Sequence, residues 1–178
     1  MNRKLENREL GRPSAEDAKN SNRQNLILVL DNLRSMHNVG SIFRTADAFA
    51  CKSIFLCGIT PQPPHREIQK TALGATDSVP WEYFKSTKDA LSKCKEMGFS
   101  CWSAEQTQNS IPPGSVPANF FSTGIALVLG SEVGGVHQDI VNTCEGCIEI
   151  PQQGSKHSLN VAVAAGILCW EMTRKLKL

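Results

Sequence analysis

Long hydrophobic runs and a strong net charge are both missing from this sequence. No apolar run is long enough to cross a bilayer, and the opening "MNRKLENRELGRPSAEDAKN" contains no apolar stretch of the kind that a secretory signal requires. We therefore expect a cytoplasmic protein with no membrane partner. The formal net charge of +2 is too small to mark a nucleic-acid binder, so charge alone leaves the partner open.

An even set of cysteines, typical of a disulfide framework, is missing as well. The seven cysteines lie scattered through apolar segments, which in a reducing compartment indicates small core residues. Cys144 and Cys147 form one C-x-x-C pair, but zinc would need two further ligands and none stands out, so we expect no metal. A redox pair is the other interpretation. Packing is favoured, because the pair precedes a strand instead of opening a helix.

The 178 residues are enough for one domain with its own core. Residues 1–24 form a polar leader, and residues 25–178 form the predicted globular domain. The leader carries both charge signs: basic Arg3, Lys4, Arg8, Arg12, Lys19 and Arg23, and acidic Glu6, Glu9, Glu16 and Asp17. Two interpretations stay open: a solvated, frayed terminus, or a short helix or arm that contacts a polyanion such as RNA.

Predicted strands alternate with predicted helices along the rest of the chain. The strands are "NLILVLDNL", "SIFLCGI", "VPWEYF", "FSCWSA", "GIALVLG" and "CIEIP". Helical spacing appears in "VGSIFRTADAFA", "STKDALSKCKEMG", "HQDIVNTC" and residues 160–176, whereas residues 60–75 and 111–120 look like turns and loop. Apolar strands separated by helical crossovers predict an α/β fold, in which a parallel sheet has helices on both faces.

The loop "DNLRSMHNVG" follows the first predicted strand, at an edge where parallel sheets bind ligands. Asn38 is placed to cap the next helix, and the free N–H groups there, with Gly40 and Ser41, suit an anion such as phosphate. Arg34 and Arg44 add two guanidinium groups to the same helix start. The alternative is a capped helix with solvated arginines.

Two further loops, "GSEVGGV" and "PQQGSKHSLN", follow strands that end at the same predicted edge. The first lacks both the P-loop pattern and the G-x-G-x-x-G pattern, so we expect no phosphate cradle there. Its Glu132 either accepts hydrogen bonds from an amine or hydroxyl, or faces solvent. In the second, Ser158 and Asn160 are candidates for the N-cap of the last helix.

The last helix carries two apolar stripes. Val161, Ala164, Ala165, Leu168 and Met172 form the first stripe, and Val163, Ile167 and Trp170 form the second. A helix that is apolar on two sides needs two partners. The sheet is one, and a second copy of the same helix is the other that we expect, which predicts a homodimer. The alternative is cover by loops of the same chain.

The segments "NVGSIFRTADAF", "LVLGSEVGG" and "IPQQGSKHSLNVAVAAG" together resemble, in order and spacing, the three motifs of the SpoU (TrmH) family in the SPOUT superfamily. The resemblance covers residues 26–176. It implies an RNA ribose 2′-O-methyltransferase that uses S-adenosylmethionine, acts on tRNA or rRNA, works as a dimer and has a deep C-terminal trefoil knot. A non-catalytic RNA-binding or cofactor-binding module of the same fold is the competing hypothesis.

The resemblance also assigns roles to residues. The catalytic set is Asn38, Arg44, Glu132, Ser158 and Asn160, the cofactor set is Ala104, Leu129, Gly130, Ile150, Ser158 and Leu159, and the RNA-binding set is Arg34, Ser41 and Arg44. Gln152 and Val133 depart from the family's pattern, which often has methionine and glycine there. We expect Arg44 to hold an oxygen of the target and to stabilise negative charge, because a guanidinium is essentially never deprotonated in a protein.

Overall fold

Six parallel strands form the centre of the computed structural model, which describes residues 2–176. The strands are β1 (Gln24–Asp31), β2 (Cys51–Cys57), β3 (Trp81–Phe84), β4 (Ser100–Ala104), β5 (Ile125–Gly130) and β6 (Gly146–Ile148). Their order in the sheet is β3-β2-β1-β5-β4-β6, and every neighbouring pair is parallel. The predicted parallel α/β sheet is confirmed.

Helices cover both faces of the sheet. They are α1 (Ala15–Asn20), α2 (Met36–Ala48), α3 (Arg66–Ala72), α4 (Ala75–Ser78), α5 (Thr87–Glu96), α6 (Gln138–Val141) and α7 (Val161–Leu176). On one face of the sheet, Leu28 of β1 belongs to a core cluster with residues of α2, α3, α4 and α7. On the other face, Ile27 and Val29 belong to a cluster with residues of α5 and α6. These strand side chains are fully buried, which explains why the central strands are apolar at nearly every position.

The turn-rich residues 60–75 are the main error of the sequence prediction, because α3 and the start of α4 lie there. Ile68 and Ala72 are buried, and α3 packs so closely on α2 that a Cβ at Gly40 would lie 2.3 Å from the carbonyl oxygen of Ile68. The proline-rich residues 111–120 hold short 3-10 helices at Pro113–Ser115 and Ala118–Phe121. Strand β6 (Gly146–Ile148) is also shorter than the predicted strand "CIEIP".

The start of α2 differs from the prediction by one turn. Ser35, not Asn38, is the N-cap, since its hydroxyl accepts a hydrogen bond of 3.2 Å from the backbone N–H of Asn38. The sequence "SMHN" offers two capping residues three positions apart, and the helix begins at the earlier one. The side chain of Asn38 is therefore available for other contacts.

The polar leader contains a 3-10 helix at Asn7–Leu10 and the short helix α1, which Ser14 caps. The guanidinium of Arg23 donates to the carbonyl oxygens of Ala18, Cys51 and Ser78. Cys51 begins β2, and Ser78 lies just before β3. The leader helix is thus fixed at the amino ends of these strands, opposite the three polar loops. Residues 1, 177 and 178 of the predicted leader and domain lie outside the described residues.

Helix α7 has one side in the core and another side uncovered by the described chain. Ala165, Leu168 and Met172 of the first predicted stripe are fully buried. The second stripe is exposed: Val163 by 51%, Ile167 by 40% and Trp170 by 58%. Cover by the chain's own loops is therefore wrong for residues 2–176.

All seven cysteines are free, and all but Cys144 are buried. Burial raises the pKa of Cys144 to about 12, so this thiol stays protonated at neutral pH. A protonated thiol is a poor nucleophile, which agrees with packing as the role of the C-x-x-C pair. Among the helices between residues 2 and 176, none has both the length and the apolarity to span a bilayer.

Candidate active site

The three polar loops meet at the carboxyl edge of the sheet. Two adjoining cavities, of about 630 Å³ and about 160 Å³, lie beside them. The loops after β5 and β6 line the larger cavity, and residues after β4 and β6 line the smaller one. The clustering expected from the sequence is therefore present, at the edge where open parallel sheets bind ligands.

Glu132 joins the loop after β5 to the start of α2. Its Oε1 accepts hydrogen bonds from Ser35 N at 3.1 Å and from Asn38 Nδ2 at 2.8 Å, and its Oε2 accepts one from Arg34 N at 3.1 Å. The carboxylate thus lies at the positive end of the helix dipole and binds N–H groups that precede the first turn.

The same contacts set the charge of Glu132. Partial burial raises the pKa of this carboxyl, but the hydrogen bonds from Asn38, Arg34 and Ser35 outweigh burial, so the pKa lies below its usual value. Glu132 is therefore ionised at neutral pH, and both of its oxygens are occupied.

Asn160 brings the third loop into the same cluster. Its Nδ2 donates to Asn38 Oδ1 at 3.1 Å, while its Oδ1 accepts from Ala162 N at 2.9 Å and caps α7. The predicted capping role of Asn160 is confirmed. Ser158 makes no hydrogen bond within residues 2–176, but it lines both cavities. A chain of side chains, Asn160 to Asn38 to Glu132, now links the three loops.

Glycines allow the loop after β5 to fold back onto the strand end. A Cβ at Gly130 would lie 2.1 Å from the carbonyl carbon of Gly135 and 2.2 Å from Val136 N. Two backbone hydrogen bonds of 3.0 Å between Ser131 and Gly135 close the turn. Gly135 has a φ of +63°, which favours glycine. Gly130 is therefore required by close backbone approach, and it lies in the wall of the larger cavity.

Five of the six predicted cofactor residues line a cavity. Gly130 lines the larger one, Ala104 and Ile150 line the smaller one, and Ser158 and Leu159 line both. Leu129 is only 1% exposed and lines neither; it pairs with Ala104 in the sheet behind them. The structure thus places Leu129 behind the cavity walls, and its contact with a cofactor stays a prediction.

The predicted RNA-binding residues lie outside both cavities. Arg34 and Arg44 are exposed, and Ser41 is half-buried. Within residues 2–176, the side chain of Arg44 forms no hydrogen bond and no ion pair. Arg44 follows Asn38 by six positions, which on a helix means about 9 Å along the axis and about 120° around it. The structure therefore joins Asn38, Glu132 and Asn160 but not Arg44.

Two residues of this edge escaped the sequence prediction. Glu105 and Gln106 follow β4 directly and line both cavities. The sequence could have indicated them, because residues that directly follow a parallel strand lie at the edge where such sheets bind ligands. Across the described chain, no group of three or more His, Cys, Asp or Glu side chains is arranged to hold a metal ion.

A parallel α/β sheet with cavities at its carboxyl edge is the architecture in which open α/β proteins bind ligands at the strand ends. A family model described as the SpoU rRNA Methylase family matches residues 25–170. The chain therefore belongs to the SpoU rRNA methylase family.

Named relatives agree with this membership. The 23S rRNA (guanosine-2′-O-)-methyltransferase RlmB of Nitrosomonas europaea is 33% identical over 150 residues, which cover 84% of this chain and 56% of RlmB. The A. aeolicus TrmH/SpoU tRNA modifying enzyme matches with a TM-score of 0.79 at 26% identity, over 92% of this chain and 82% of that chain.

An AdoMet bound rRNA methyltransferase from Sinorhizobium meliloti also has a TM-score of 0.79, at 27% identity, over 89% of this chain and 60% of that chain. The present chain thus spans little more than half the length of RlmB and of the S. meliloti enzyme.

Replacement of Gly130 by Ala tests the close approach of the loop after β5. We expect Gly130→Ala to lower the free energy of unfolding by about 2 kcal/mol, because its Cβ meets backbone that cannot rotate away. Gly134→Ala is the matched control, since its Cβ would lie 3.6 Å from the nearest atom, Ser131 Oγ. Urea denaturation measures both. Equal stability of the two variants would contradict the packing described.

Replacement of Glu132 by Gln tests the link between the loops. At about pH 7 we expect Glu132→Gln to cost about 1 kcal/mol, because an amide offers one oxygen to three donors. The folded-state pKa is lowered, so the contribution is complete above the unfolded-state pKa and disappears as the pH falls through the folded one. The stabilities of wild type and variant should therefore converge in acid.

Urea denaturation of both proteins across the acid range measures this convergence. Glu82→Gln is the control, because Glu82 forms only a surface ion pair of 3.3 Å with Lys93, and such pairs contribute little. A stability difference between wild type and Glu132→Gln that is independent of pH would refute the role given to the charged carboxylate.

Proposed function

We propose that this protein transfers a methyl group from S-adenosylmethionine to a ribose 2′-OH of tRNA or rRNA. One observation carries the proposal: the hydrogen-bonded chain from Asn160 through Asn38 to Glu132 joins the three loops beside the two cavities. Family membership and the names of the relatives, which act on 23S rRNA or tRNA, support the reaction and the substrate class. We also propose that the protein works in the cytoplasm, where its free thiols remain reduced.

The cavities suit the cofactor chemically. Ala104, Ile148, Ile150 and Leu168 give the smaller cavity an apolar wall for a flat adenine ring. The loop beside it, residues 151–159, takes part in no backbone–backbone hydrogen bond within the described chain. Apart from the carbonyl oxygen of His157, which accepts from Gln106 Nε2, its backbone N–H and C=O groups are free to bind polar edges. The larger cavity is lined mainly by polar and glycine residues and suits a charged tail.

The cofactor supplies a methyl group that is already activated on a sulfonium, so positioning is the main task of the protein. Asn160, at the start of α7, holds Asn38, and Glu132 holds the backbone ahead of α2. With both oxygens engaged, Glu132 acts by fixing α2 and leaves proton transfer to other groups. Asn38, Ser158 and Asn160 keep the geometry of the cavity wall.

Arg44 stabilises the reacting oxygen. Its guanidinium stays protonated, so it binds a phosphate or ribose oxygen of the target and stabilises negative charge that develops at the 2′-oxygen. Arg34 precedes the N-cap of α2 and Ser41 lies between it and Arg44 along the chain, and both extend the RNA contact. Because Arg44 lines neither cavity of its own chain, we propose that a second subunit brings its Arg44 to the reacting group.

The proposed assembly is a homodimer formed through α7. The exposed stripe of Val163, Ile167 and Trp170 offers an apolar surface, and Trp170 packs edge-on against Phe49 at the end of α2, with ring centroids 6.3 Å apart. We expect the same stripe of a second subunit to pack against it, because a two-fold axis brings identical patches together. The likeness to SpoU neighbours further supports a C-terminal trefoil knot built from the loops after β5 and β6.

Arg44→Ala is expected to reduce methyl transfer at least about 100-fold, because a fixed donor to developing charge is lost. Binding of S-adenosylmethionine should stay within about twofold of wild type, since Arg44 lies outside both cavities. Transfer of labelled methyl groups to total RNA and calorimetric titration of the cofactor measure the two effects. Arg66→Ala is the control, as this arginine is also exposed but belongs to α3.

Full transfer by Arg44→Ala would show that its proposed role is wrong. Wild-type protein that binds the cofactor but methylates no RNA would support the non-catalytic module instead. A map of 2′-O-methyl marks in cellular RNA, with and without the protein, identifies the target among tRNA and rRNA.

Ile167→Glu tests the dimer. A carboxylate in the middle of the stripe would have to be buried on association, so we expect the dimer dissociation constant to rise more than about tenfold. Methyl transfer should fall with it if Arg44 acts across subunits. Ile59→Glu is the matched control, because Ile59 is 64% exposed and lies elsewhere. Sedimentation equilibrium measures association, and an unchanged dimer of the Ile167 variant would exclude this interface.

A further inference from the structure

The loop after β6 forms very few hydrogen bonds with the rest of the described chain. All residues from Pro151 to Asn160 are exposed. Between Pro151 and Leu159, a single hydrogen bond connects the loop to the described chain: Gln106 Nε2 donates to the carbonyl oxygen of His157 at 2.9 Å. The position of the whole loop over the smaller cavity therefore depends on Gln106.

Gln106 is itself held by Glu105. The Oε1 of Glu105 accepts from Gln106 N and its Oε2 accepts from Val136 N, both at 2.9 Å. Glu105 N donates to the carbonyl oxygen of Ile148 at 3.1 Å, which fixes this dipeptide to the end of β6. Glu105 thus holds the loop after β5, and Gln106 holds the loop after β6.

Both residues also border both cavities, and His157 lines the smaller one. The hydrogen bond between Gln106 and His157 therefore closes one side of the cavity that suits the adenine ring. Loss of this bond would leave the loop free to open, and ordering it again would oppose ligand binding.

We propose that Gln106 is a positioning residue that holds the loop of residues 151–159 closed over the cofactor cavity. It sets the affinity for S-adenosylmethionine without taking part in methyl transfer. This inference rests on the proposed function for the identity of the ligand, whereas the closure of the loop does not depend on it. One net hydrogen bond of ordinary strength corresponds to about a three- to tenfold change in affinity.

The variant Gln106→Met tests this role, because methionine has nearly the same length but no N–H donor. Gln108→Met is the matched control: Gln108 is exposed, and its side chain forms no hydrogen bond within residues 2–176. We expect Gln106→Met to bind S-adenosylmethionine about three- to tenfold more weakly in calorimetric titration. Its kcat at saturating cofactor and its melting temperature should equal those of the control.

Tryptic cleavage after Lys156 reports the loop without any cofactor, because Lys156 lies inside it and is exposed. We expect Gln106→Met to be cut there several-fold faster than wild type and Gln108→Met, as read by mass spectrometry of the fragments. Added S-adenosylmethionine should slow cleavage of the wild type.

Equal cleavage after Lys156 in all three proteins would overturn the proposal, as would a loss of kcat at saturating cofactor with unchanged affinity. Wild-type protein that fails to bind S-adenosylmethionine would instead refute the proposed function. The cleavage measurement without cofactor would still decide whether Gln106 holds the loop.

Discussion

The arrangement of this site depends on the carboxylate of Glu132. Three N–H groups from the start of α2 converge on it, and one of them belongs to Asn38, which in turn holds Asn160. Without this charge the loops after β1 and β5 would lose three hydrogen bonds that join them, and Asn38 would lose a partner that orients it toward Asn160. A single ionised group at a helix N-terminus thus connects the polar side chains of three loops.

Rigid and loose elements alternate around the cavities. The strand ends and the tight turn at Gly130 are fixed by backbone contacts, since no side chain fits there. Residues 151–159 are exposed and almost without hydrogen bonds. A pocket with one firm side and one movable side admits a bulky ligand and still surrounds it once bound.

Much of the architecture could be predicted because its signals are local. Central strands buried on both faces are apolar at nearly every position, and α7 shows two stripes at helical spacing. Helix α3 could not be predicted from its local sequence, because prolines and polar residues precede it and its burial depends on Gly40 of α2. Contacts between residues distant in sequence could not be predicted either. Glu105 accepts a hydrogen bond from a residue 31 positions away, and Gln106 donates one to a residue 51 positions away.

Helix α7 is a stiff rod of 16 residues, about 24 Å long. One end is capped by Asn160 at the cavity wall, and its outer side carries Trp170 in solvent. Because a helix moves as one body, a molecule that shifted α7 by covering its outer side would carry Asn160 with it. A change in ligand affinity at the sheet edge caused by that shift would be reciprocal, so that the ligand would change the occupancy of the outer surface to the same degree.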